Sequence, residues 1–262
     1  MKKKEIKAYA KINLGLKVLR KREDGYHDIE TTIVPITLCD EITIEKTGDN
    51  KISLSCNVKE LETEKNLCWR AAESLNVKGI KITLTKNVPM ESGLGGGSAD
   101  CGATLIALNE LFNLQKSKQE LADIGRTLGA DVPACMAGVP VFVEGMGERL
   151  TEIANPPDLK LVLVKPEISL STGVMYRKID ELRERAGTDI FKNALNDFEL
   201  VAEDPIIEEI KRELTELGAK FAQMTGSGSC VYGIFENEEQ QLKAYEELKN
   251  KREVYICTNL KQ

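Results

Sequence analysis

Four glycines within five positions constrain this chain more than any other feature of its sequence. They lie in the segment Gly93-Leu94-Gly95-Gly96-Gly97-Ser98. Glycine has the most backbone freedom to lose on ordering, so such a run is unfavourable inside a helix or a strand. It suits a loop in which the backbone approaches another group closely or takes a positive φ. We therefore predict a loop at this segment.

The residues on either side predict a strand before the loop and a helix after it. Ile80, Ile82 and Leu84 alternate with polar residues, and apolar residues recur near helical spacing over 99–112. The loop then ends at a helix N-terminus, where unpaired N–H groups and the helix dipole favour an anion. Ser98 can cap the helix or offer its hydroxyl to a phosphate or a metal. The alternative is a loop that only lets strand and helix pack closely.

The glycine loop matches neither of two common phosphate-binding motifs. No lysine follows the last glycine, as a Walker A loop requires. If Gly93 and Gly95 are taken as the first two glycines of a dinucleotide-binding fingerprint, the third position falls at Ser98. The kind of anion must therefore be inferred from the rest of the chain.

Composition excludes several classes of partner. The chain has 262 residues, 42% of them hydrophobic and 30% charged, which is typical of a globular protein with one large or two modest domains. Its net charge of −6 argues against a nucleic-acid partner. No apolar run approaches the ~20 residues that span a bilayer. The seven cysteines form no CxxC pair, which indicates a reducing compartment and no zinc site. We expect a cytoplasmic protein with no membrane partner.

A change in the order of predicted strands and helices indicates two domains. The proline-containing segment 154–158 is the best boundary in the chain and separates a domain over 1–154 from one over 158–262. The second part has the order strand, helices, two strands, helix, strand, which predicts helices on an antiparallel sheet and an α+β class. Its helices are expected at 173–185, 191–202, 205–217 and 238–251.

Two short segments near the N-terminus carry chemically useful side chains. Lys11 and Asn13 alternate with apolar residues and therefore share one face of a predicted strand, although an isolated lysine is more often solvated. Tyr26 and His27 follow an Asp-Gly turn, and His27 is the only histidine. Such a pair is more often a surface or packing feature. As a site it would offer a stacking surface and a directional hydrogen-bonding group for a heterocyclic base.

Asp131 is bracketed by small and apolar residues in the segment Gly129-Ala130-Asp131-Val132-Pro133. A carboxylate in such surroundings must be paired or hydrogen-bonded. It could equally be the N-cap of a helix that starts before Pro133, and the sequence leaves both open. A Gly/Ser turn over 225–229 is another place where backbone and hydroxyls can approach a ligand.

Four of these segments together resemble a known family. Residues 89–100 (PMESGLGGGSAD) resemble the phosphate-binding motif of the GHMP kinase superfamily. The segments 10–14 with 24–27, 129–133 and 225–228 resemble its other motifs in order and spacing, so the resemblance runs from about residue 8 to the end. It implies a two-lobed α+β fold with the active site in the cleft between the lobes. The N-terminal lobe would be a mixed sheet with helices, similar to the second domain of ribosomal protein S5, and the C-terminal lobe would be ferredoxin-like.

The resemblance also implies a reaction. It implies an ATP-dependent kinase that uses Mg²⁺ and phosphorylates a small-molecule alcohol, and the first motifs point to a cytidine diphosphate-linked polyol of the non-mevalonate isoprenoid route. One alternative is a GHMP kinase for homoserine or a mevalonate derivative. Tyr26 and His27 argue against it, because those substrates carry no base. The other is a non-catalytic nucleotide-binding module. Lys11 and Asp131 argue against it, because a pure binder needs neither.

The resemblance assigns roles to individual residues. Asp131 would be the base that deprotonates the substrate hydroxyl, and Lys11 the ammonium that steadies the developing charge. The substrate would contact Asn13, Tyr26, His27, Thr172 and Tyr176. ATP would contact Asn66, Lys86, Pro89, Gly93, Leu94, Gly95, Gly96, Gly97, Ser98, Gly226 and Ser227. The metal ligands stay open, since Ser98-Ala99 stands where many relatives have two serines, and the oligomeric state stays open as well.

Overall fold

The computed structural model describes residues 2–261, which form two compact units, each discontinuous in sequence. The first contains the residues up to Ala10, Leu38–Val88 and Gly95–Gly138. The second contains Lys11–Thr37, Pro89–Leu94 and the chain from Val139 onward. Two long strands, β1 (Lys3–Lys21) and β2 (His27–Lys46), supply segments to both units. The sequence-based boundary at 154–158 stays a prediction.

The first unit is built on a mixed sheet. Strand β3 (Ile52–Cys56) runs parallel to β4 (Ile80–Thr85), which pairs antiparallel with residues 41–46 of β2. Alternate residues of β4 are buried, as are Ile42 and Ile44 of β2, as the period of two in the sequence requires. Four helices pack against this core: α1 (Leu67–Ser74), α2 (Gly96–Phe112), α3 (Lys118–Leu128) and α4 (Val132–Ala137).

Glycines let three of these helices approach one another. A Cβ added at Gly102 of α2 would lie 2.5 Å from Cγ of Met136, and one added at Gly125 of α3 would lie 2.6 Å from Cγ1 of Val132. Any larger residue at either position would push against α4. The short helix α4 is therefore held closely against both α2 and α3.

The second unit contains a four-stranded antiparallel sheet in the order β10-β7-β9-β8. Its strands are β7 (Lys160–Lys165), β8 (Phe221–Met224), β9 (Val231–Phe235) and β10 (Glu253–Thr258). Helices α5 (Thr172–Ala186), α6 (Ile206–Glu216) and α7 (Glu238–Leu248) pack on its apolar core. Residues 29–33 of β2 pair with β5 (Val141–Gly145), which pairs with β6 (Arg149–Glu152). Sheets with packed helices in both units confirm the predicted α+β class.

The helix predicted over 191–202 is wrong. The chain there forms two short 3-10 helices, Asp189–Phe191 and Asp197–Val201. The Asn196 side chain accepts from the N–H of Phe198 and donates to the carbonyls of Met224 and Gly226, while Asp197 accepts from the N–H of Val18. Side-chain bonds of this kind compete with the helical ladder. Among residues 2–261, no helix has both the length and the apolar character needed to cross a membrane.

Candidate active site

The predicted order of strand, loop and helix is present in the chain. Strand β4 ends at Thr85 and helix α2 begins at Gly96, with Gly95 as its N-cap at φ 69°. Because the N-cap is a glycine, it has no side chain to cap the first N–H groups of α2, which also lack intrahelical acceptors. Gly97 in this first turn is exposed. The start of α2 therefore has the features of an anion-binding helix end.

Close packing explains some of the glycines but not all of them. Gly93 has φ +74°, and a Cβ there would lie 2.1 Å from the carbonyl oxygen of Thr225. A Cβ on Gly96 would lie 3.0 Å from Cγ1 of Val88. At Gly97 the nearest atom would be Cδ1 of Leu67, at an ordinary 3.7 Å. The packing alternative therefore accounts for Gly93 and Gly96, whereas Gly97 does not need to be glycine for space.

A buried charged triad ties the start of this loop to α2. The Lys86 ammonium bonds to Oδ2 of Asp100 at 2.8 Å and also to Asp40, and all three side chains are buried. The other oxygen of Asp40 accepts from the N–H groups of Asn87 and Val88 at 2.6 and 2.8 Å. The triad thus fixes the residues that enter the loop against the second turn of α2.

The triad has two carboxylates for one ammonium. Burial raises the pKa of Asp100 to about 7, with the Asp40 carboxylate adding to the shift and Lys86 opposing it. Burial alone would lower the pKa of Lys86, but Asp100 and Asp40 outweigh it, so the pKa is raised. Oδ1 of Asp100 has no hydrogen-bond partner among the residues described. The triad therefore retains a proton on a carboxylate more readily than an exposed pair would.

Asn66, also predicted to lie near the nucleotide, has a structural role of its own. Its Oδ1 caps α1 by accepting from the N–H of Cys68 at 2.9 Å, and its Nδ2 donates to the carbonyl of Leu61 at 3.0 Å. These bonds fix the start of α1 within the first unit. Contact of Asn66 with a nucleotide stays a prediction.

Asp131 occupies the N-cap position of α4, with φ −81° and ψ −10°. Its carboxylate makes no capping hydrogen bond to the helix. The alternative that the Asp131 side chain serves as an N-cap is therefore wrong. The start of α4 lies by the start of α2, because the Cβ position of Gly129 is 3.7 Å from the Ser98 hydroxyl and the Cys135 sulfur is 4.0 Å from the Gly95 carbonyl. The first unit thus places Asp131 near the start of α2.

In the second unit, Lys11 and Asn13 are neighbours on one face of β1, as predicted. Nζ of Lys11 donates to Oδ1 of Asn13 at 2.8 Å and to the Gly93 carbonyl at 2.9 Å. Nδ2 of Asn13 donates to the Thr31 hydroxyl at 2.8 Å. Lys11 is only 4% exposed and Asn13 only 2%, so neither is the solvated strand residue that the alternative required.

The Gly/Ser turn lies against this pair. A Cβ on Gly226 would lie 3.2 Å from Oδ1 of Asn13 and 3.3 Å from Nζ of Lys11. The next residue, Ser227, hydrogen-bonds through its hydroxyl to Thr172 at 2.8 Å. Asn196 holds the turn by donating to the Gly226 carbonyl at 2.8 Å. The second unit therefore brings together five predicted site residues: Lys11, Asn13, Thr172, Gly226 and Ser227.

His27 and Tyr176 form a second group in the same unit. Their rings stack with centroids 4.6 Å apart and an interplanar angle of 19°, and Tyr176 meets Phe198 edge-on at 4.9 Å. Nε2 of His27 lies 2.8 Å from Oδ1 of Asp180. Tyr26 is on the surface, 63% exposed.

Sequence reasoning missed four polar residues of these groups. Asp40 could have been found, because it is in register with the buried Ile42 and Ile44 of β2. Asp180 lies four residues after Tyr176 on α5, a spacing that shares a helix face. The other two, Asp100 and Asn196, gave no distinct signal in the sequence.

Oxygen ligands for a magnesium ion are few. Within 2–261, no group of three or more histidine, cysteine, aspartate or glutamate side chains could hold a metal ion. Mg²⁺ is usually bound by only one or two protein carboxylates, together with substrate phosphates and water. The adjoining starts of α2 and α4 supply the Ser98 hydroxyl and the Asp131 carboxylate, and this oxygen-only set fits that requirement.

Comparisons with known proteins give consistent matches along the chain. The GHMP kinases N terminal domain matches residues 65–139, and the GHMP kinases C terminal domain matches residues 179–253. The 4-diphosphocytidyl-2-C-methyl-D-erythritol kinase of Acetivibrio thermocellus is 40% identical, with 94% of each chain covered. The enzyme of the same name from Geobacter metallireducens is also 40% identical, with 98% of each chain covered.

Solved structures agree with these relatives. A crystal structure of 4-(cytidine 5'-diphospho)-2C-methyl-D-erythritol kinase superposes with a TM-score of 0.82 at 30% identity, covering 99% of this chain and 100% of that one. The L. major mevalonate kinase in complex with R-mevalonate superposes with a TM-score of 0.77 over 98% and 95% of the two chains. At 16% identity, the second likeness shows the fold alone.

Proposed function

Since this chain belongs to the 4-diphosphocytidyl-2-C-methyl-D-erythritol kinase family of the GHMP kinases, we propose that it transfers the γ-phosphoryl group of ATP to the 2-hydroxyl of that cytidine diphosphate-linked polyol. The family and fold predicted from the motifs are confirmed. The observation that carries the proposal is 40% identity to such kinases along nearly the whole chain. A mevalonate kinase and a homoserine kinase resemble this chain at 16% and 18% identity, likenesses that show the fold alone.

ATP is the co-substrate that a kinase of this family uses. We assign its phosphates to the first turn of α2, where Gly97 is exposed and the N–H groups lack intrahelical acceptors. Asn66, Lys86 and Pro89 would lie near the nucleotide, together with the remaining loop residues Gly93, Leu94, Gly95, Gly96 and Ser98 and the turn residues Gly226 and Ser227. Mg²⁺, held by the Ser98 hydroxyl together with the phosphates and water, would neutralise charge on the phosphate oxygens.

Asp131 would accept the proton of the substrate hydroxyl. Its carboxylate is not used to cap α4, so that role does not compete with proton transfer. Lys11 would steady the negative charge of this reaction, because an ammonium favours a nearby anion. The ammonium is buried and donates to two neutral acceptors, Asn13 and Gly93, which fix its position. Positioning and charge neutralisation are what phosphoryl transfer chiefly requires.

Helix α5 supports the assignment of the substrate residues. Thr172 and Tyr176 are one turn apart, a rise of about 6 Å along the axis. Thr172 bonds to Ser227 in the Gly/Ser turn, beside Lys11 and Asn13. The Tyr176 ring stacks on the His27 ring. The base would lie at the His27 and Tyr176 end, with Tyr26 as an exposed ring available to cover it, and the polyol would lie toward Asn13.

The test is an ADP-release assay with three alcohols: 4-diphosphocytidyl-2-C-methyl-D-erythritol, homoserine and mevalonate. We expect turnover with the first substrate only, and a phosphorylated product of the corresponding mass. Turnover with homoserine or mevalonate would replace the proposed substrate. ATP binding without turnover of any alcohol would instead support the non-catalytic module.

A further inference from the structure

The only histidine of the chain is held by a carboxylate that the proposed function does not use. Nε2 of His27 lies 2.8 Å from Oδ1 of Asp180, and Oδ2 of Asp180 accepts from the Lys21 ammonium at 2.8 Å. Partial burial acts to raise the pKa of Asp180, but the bonds from Lys21 and His27 outweigh it and hold the pKa below its usual value. The carboxylate is therefore ionised at neutral pH.

An ionised carboxylate can only accept a hydrogen bond. Nε2 of His27 must then carry a proton and donate it to Asp180. In the neutral ring, this leaves Nδ1 without a proton, as an acceptor. Nδ1 has no hydrogen-bond partner within the part of the chain that the structure describes.

Two contacts fix the ring in space. Stacking on Tyr176 at 4.6 Å and 19° sets the plane of the His27 ring. Within that plane, the bond to Asp180 selects one of the two orientations related by a half-turn of χ2. Tyr176 and Asp180 are four residues apart and so lie on one face of α5, which holds both contacts in a constant relation.

We propose that Asp180 is a positioning residue that makes the site select cytosine over uracil. It would do so by holding His27 in the Nε2–H tautomer, in which Nδ1 is an acceptor for the base. This proposal rests on the proposed function. Cytosine carries an amino donor at position 4, where uracil carries a carbonyl acceptor. An acceptor on the protein binds the first and repels the second. A site arranged to hydrogen-bond one group rejects an analogue that lacks it more strongly than an apolar site can.

The first test reads the tautomer directly and needs no ligand. Because His27 is the only histidine, a long-range ¹⁵N–¹H correlation spectrum of ¹⁵N-histidine-labelled protein reports this ring alone. The spectrum is recorded at about pH 8.5, some two units above the ordinary histidine pKa. We expect a pyrrole-like Nε2 and a pyridine-like Nδ1. In Asp180→Ala, the two shifts should move toward each other, as in a mixture of tautomers.

The second test measures base selection with cytidine 5′-diphosphate and uridine 5′-diphosphate, by calorimetry. We expect the wild-type protein to bind the cytidine nucleotide at least about tenfold more tightly, since the uridine nucleotide loses a hydrogen bond and its facing acceptor adds repulsion. In Asp180→Ala, the ratio should fall to about threefold or less, with KM for ATP unchanged. Glu181→Gln removes the next, exposed carboxylate of α5 and is the matched control, expected to keep the wild-type ratio and spectrum.

Each outcome decides a separate point. A wild-type ring with the proton on Nδ1, or an Asp180→Ala spectrum identical to wild type, would overturn the positioning role. A preserved cytidine preference in Asp180→Ala would overturn its role in base selection. Binding of neither nucleotide by the wild-type protein would overturn the proposed function and base selection together, while the spectrum would still decide on the tautomer. If Asp180→Ala and Glu181→Gln have the same melting temperature, a change in the spectrum or in nucleotide preference is a local effect of Asp180.

Discussion

Replacing Gly93 by alanine tests whether the glycine loop is shaped by close packing. Gly93 has φ +74°, and the new Cβ would lie 2.1 Å from the Thr225 carbonyl oxygen, a backbone atom that cannot turn aside. A left-handed alanine costs about 1–2 kcal/mol, and overpacking a well-filled site costs a further ~1–3 kcal/mol. We therefore expect Gly93→Ala to lower the free energy of unfolding by about 2–5 kcal/mol.

The same change should reduce catalysis. The Gly93 carbonyl accepts from the Lys11 ammonium at 2.9 Å, and the next carbonyl, of Leu94, accepts from the Lys11 N–H at 2.9 Å. Relief of the clash moves this backbone, so Lys11 moves with it and kcat falls.

Gly97→Ala is the matched control. Its Cβ would meet only Leu67, at 3.7 Å, on an exposed turn. Stability should stay the same or rise by up to about 1 kcal/mol, because alanine restricts the unfolded chain and favours a helix. KM for ATP should nevertheless rise if phosphates approach this backbone closely.

Urea unfolding and steady-state kinetics on both variants decide the matter. Wild-type stability in Gly93→Ala would refute the packing argument. An unchanged KM for ATP in Gly97→Ala would refute the assignment of the phosphates to the first turn of α2.

Three further predictions concern the triad and the base site. Lys86→Met should lower the free energy of unfolding by about 3–5 kcal/mol, since it leaves two buried carboxylates without their cation. The control is Lys4→Met, which removes the partner of Glu110 in a surface ion pair. It should change the free energy of unfolding by at most about 1 kcal/mol in the same urea titration. The pKa of Asp100 is about 7 in the folded protein, against 3.8 for the ordinary group. The free energy of unfolding should therefore fall by a few kcal/mol as pH rises across that interval. Asp100→Asn should flatten this pH dependence, and an equal slope in both proteins would contradict the raised pKa. His27→Ala should raise KM for the cytidine substrate at least about tenfold while leaving KM for ATP nearly unchanged. An equal effect on both KM values would show that His27 is wrongly assigned to the base site.

Local patterns were enough to predict the elements around the loop. Alternation over 80–85 and helical spacing over 99–112 predicted β4 and α2, because period and glycine content are properties of contiguous residues. The capping box of α3, with Ser117 and Glu120 bonded reciprocally, was predictable for the same reason. Face sharing by Lys11 and Asn13 follows from a spacing of two along a strand.

Contacts between distant residues could not be predicted in this way. Asp40 meets a lysine 46 positions away, and His27 meets Asp180 across 153 positions, so neither pairing leaves a local pattern. The error over 191–202 has the same origin. Apolar spacing there resembles a helix, but Asn196 bonds to carbonyls of residues 224 and 226, and those tertiary bonds prevailed over the local preference.

The most direct test of the catalytic account is the single-turnover rate of Asp131→Asn with saturating ATP and cytidine substrate. A single turnover isolates phosphoryl transfer from product release, and the amide keeps the size of the side chain while it cannot accept the proton. We expect the rate to fall by at least about 10²-fold, the contribution of a positioned general base, with the fold intact. A rate near that of the wild-type protein would contradict the account by removing Asp131 from the chemical step.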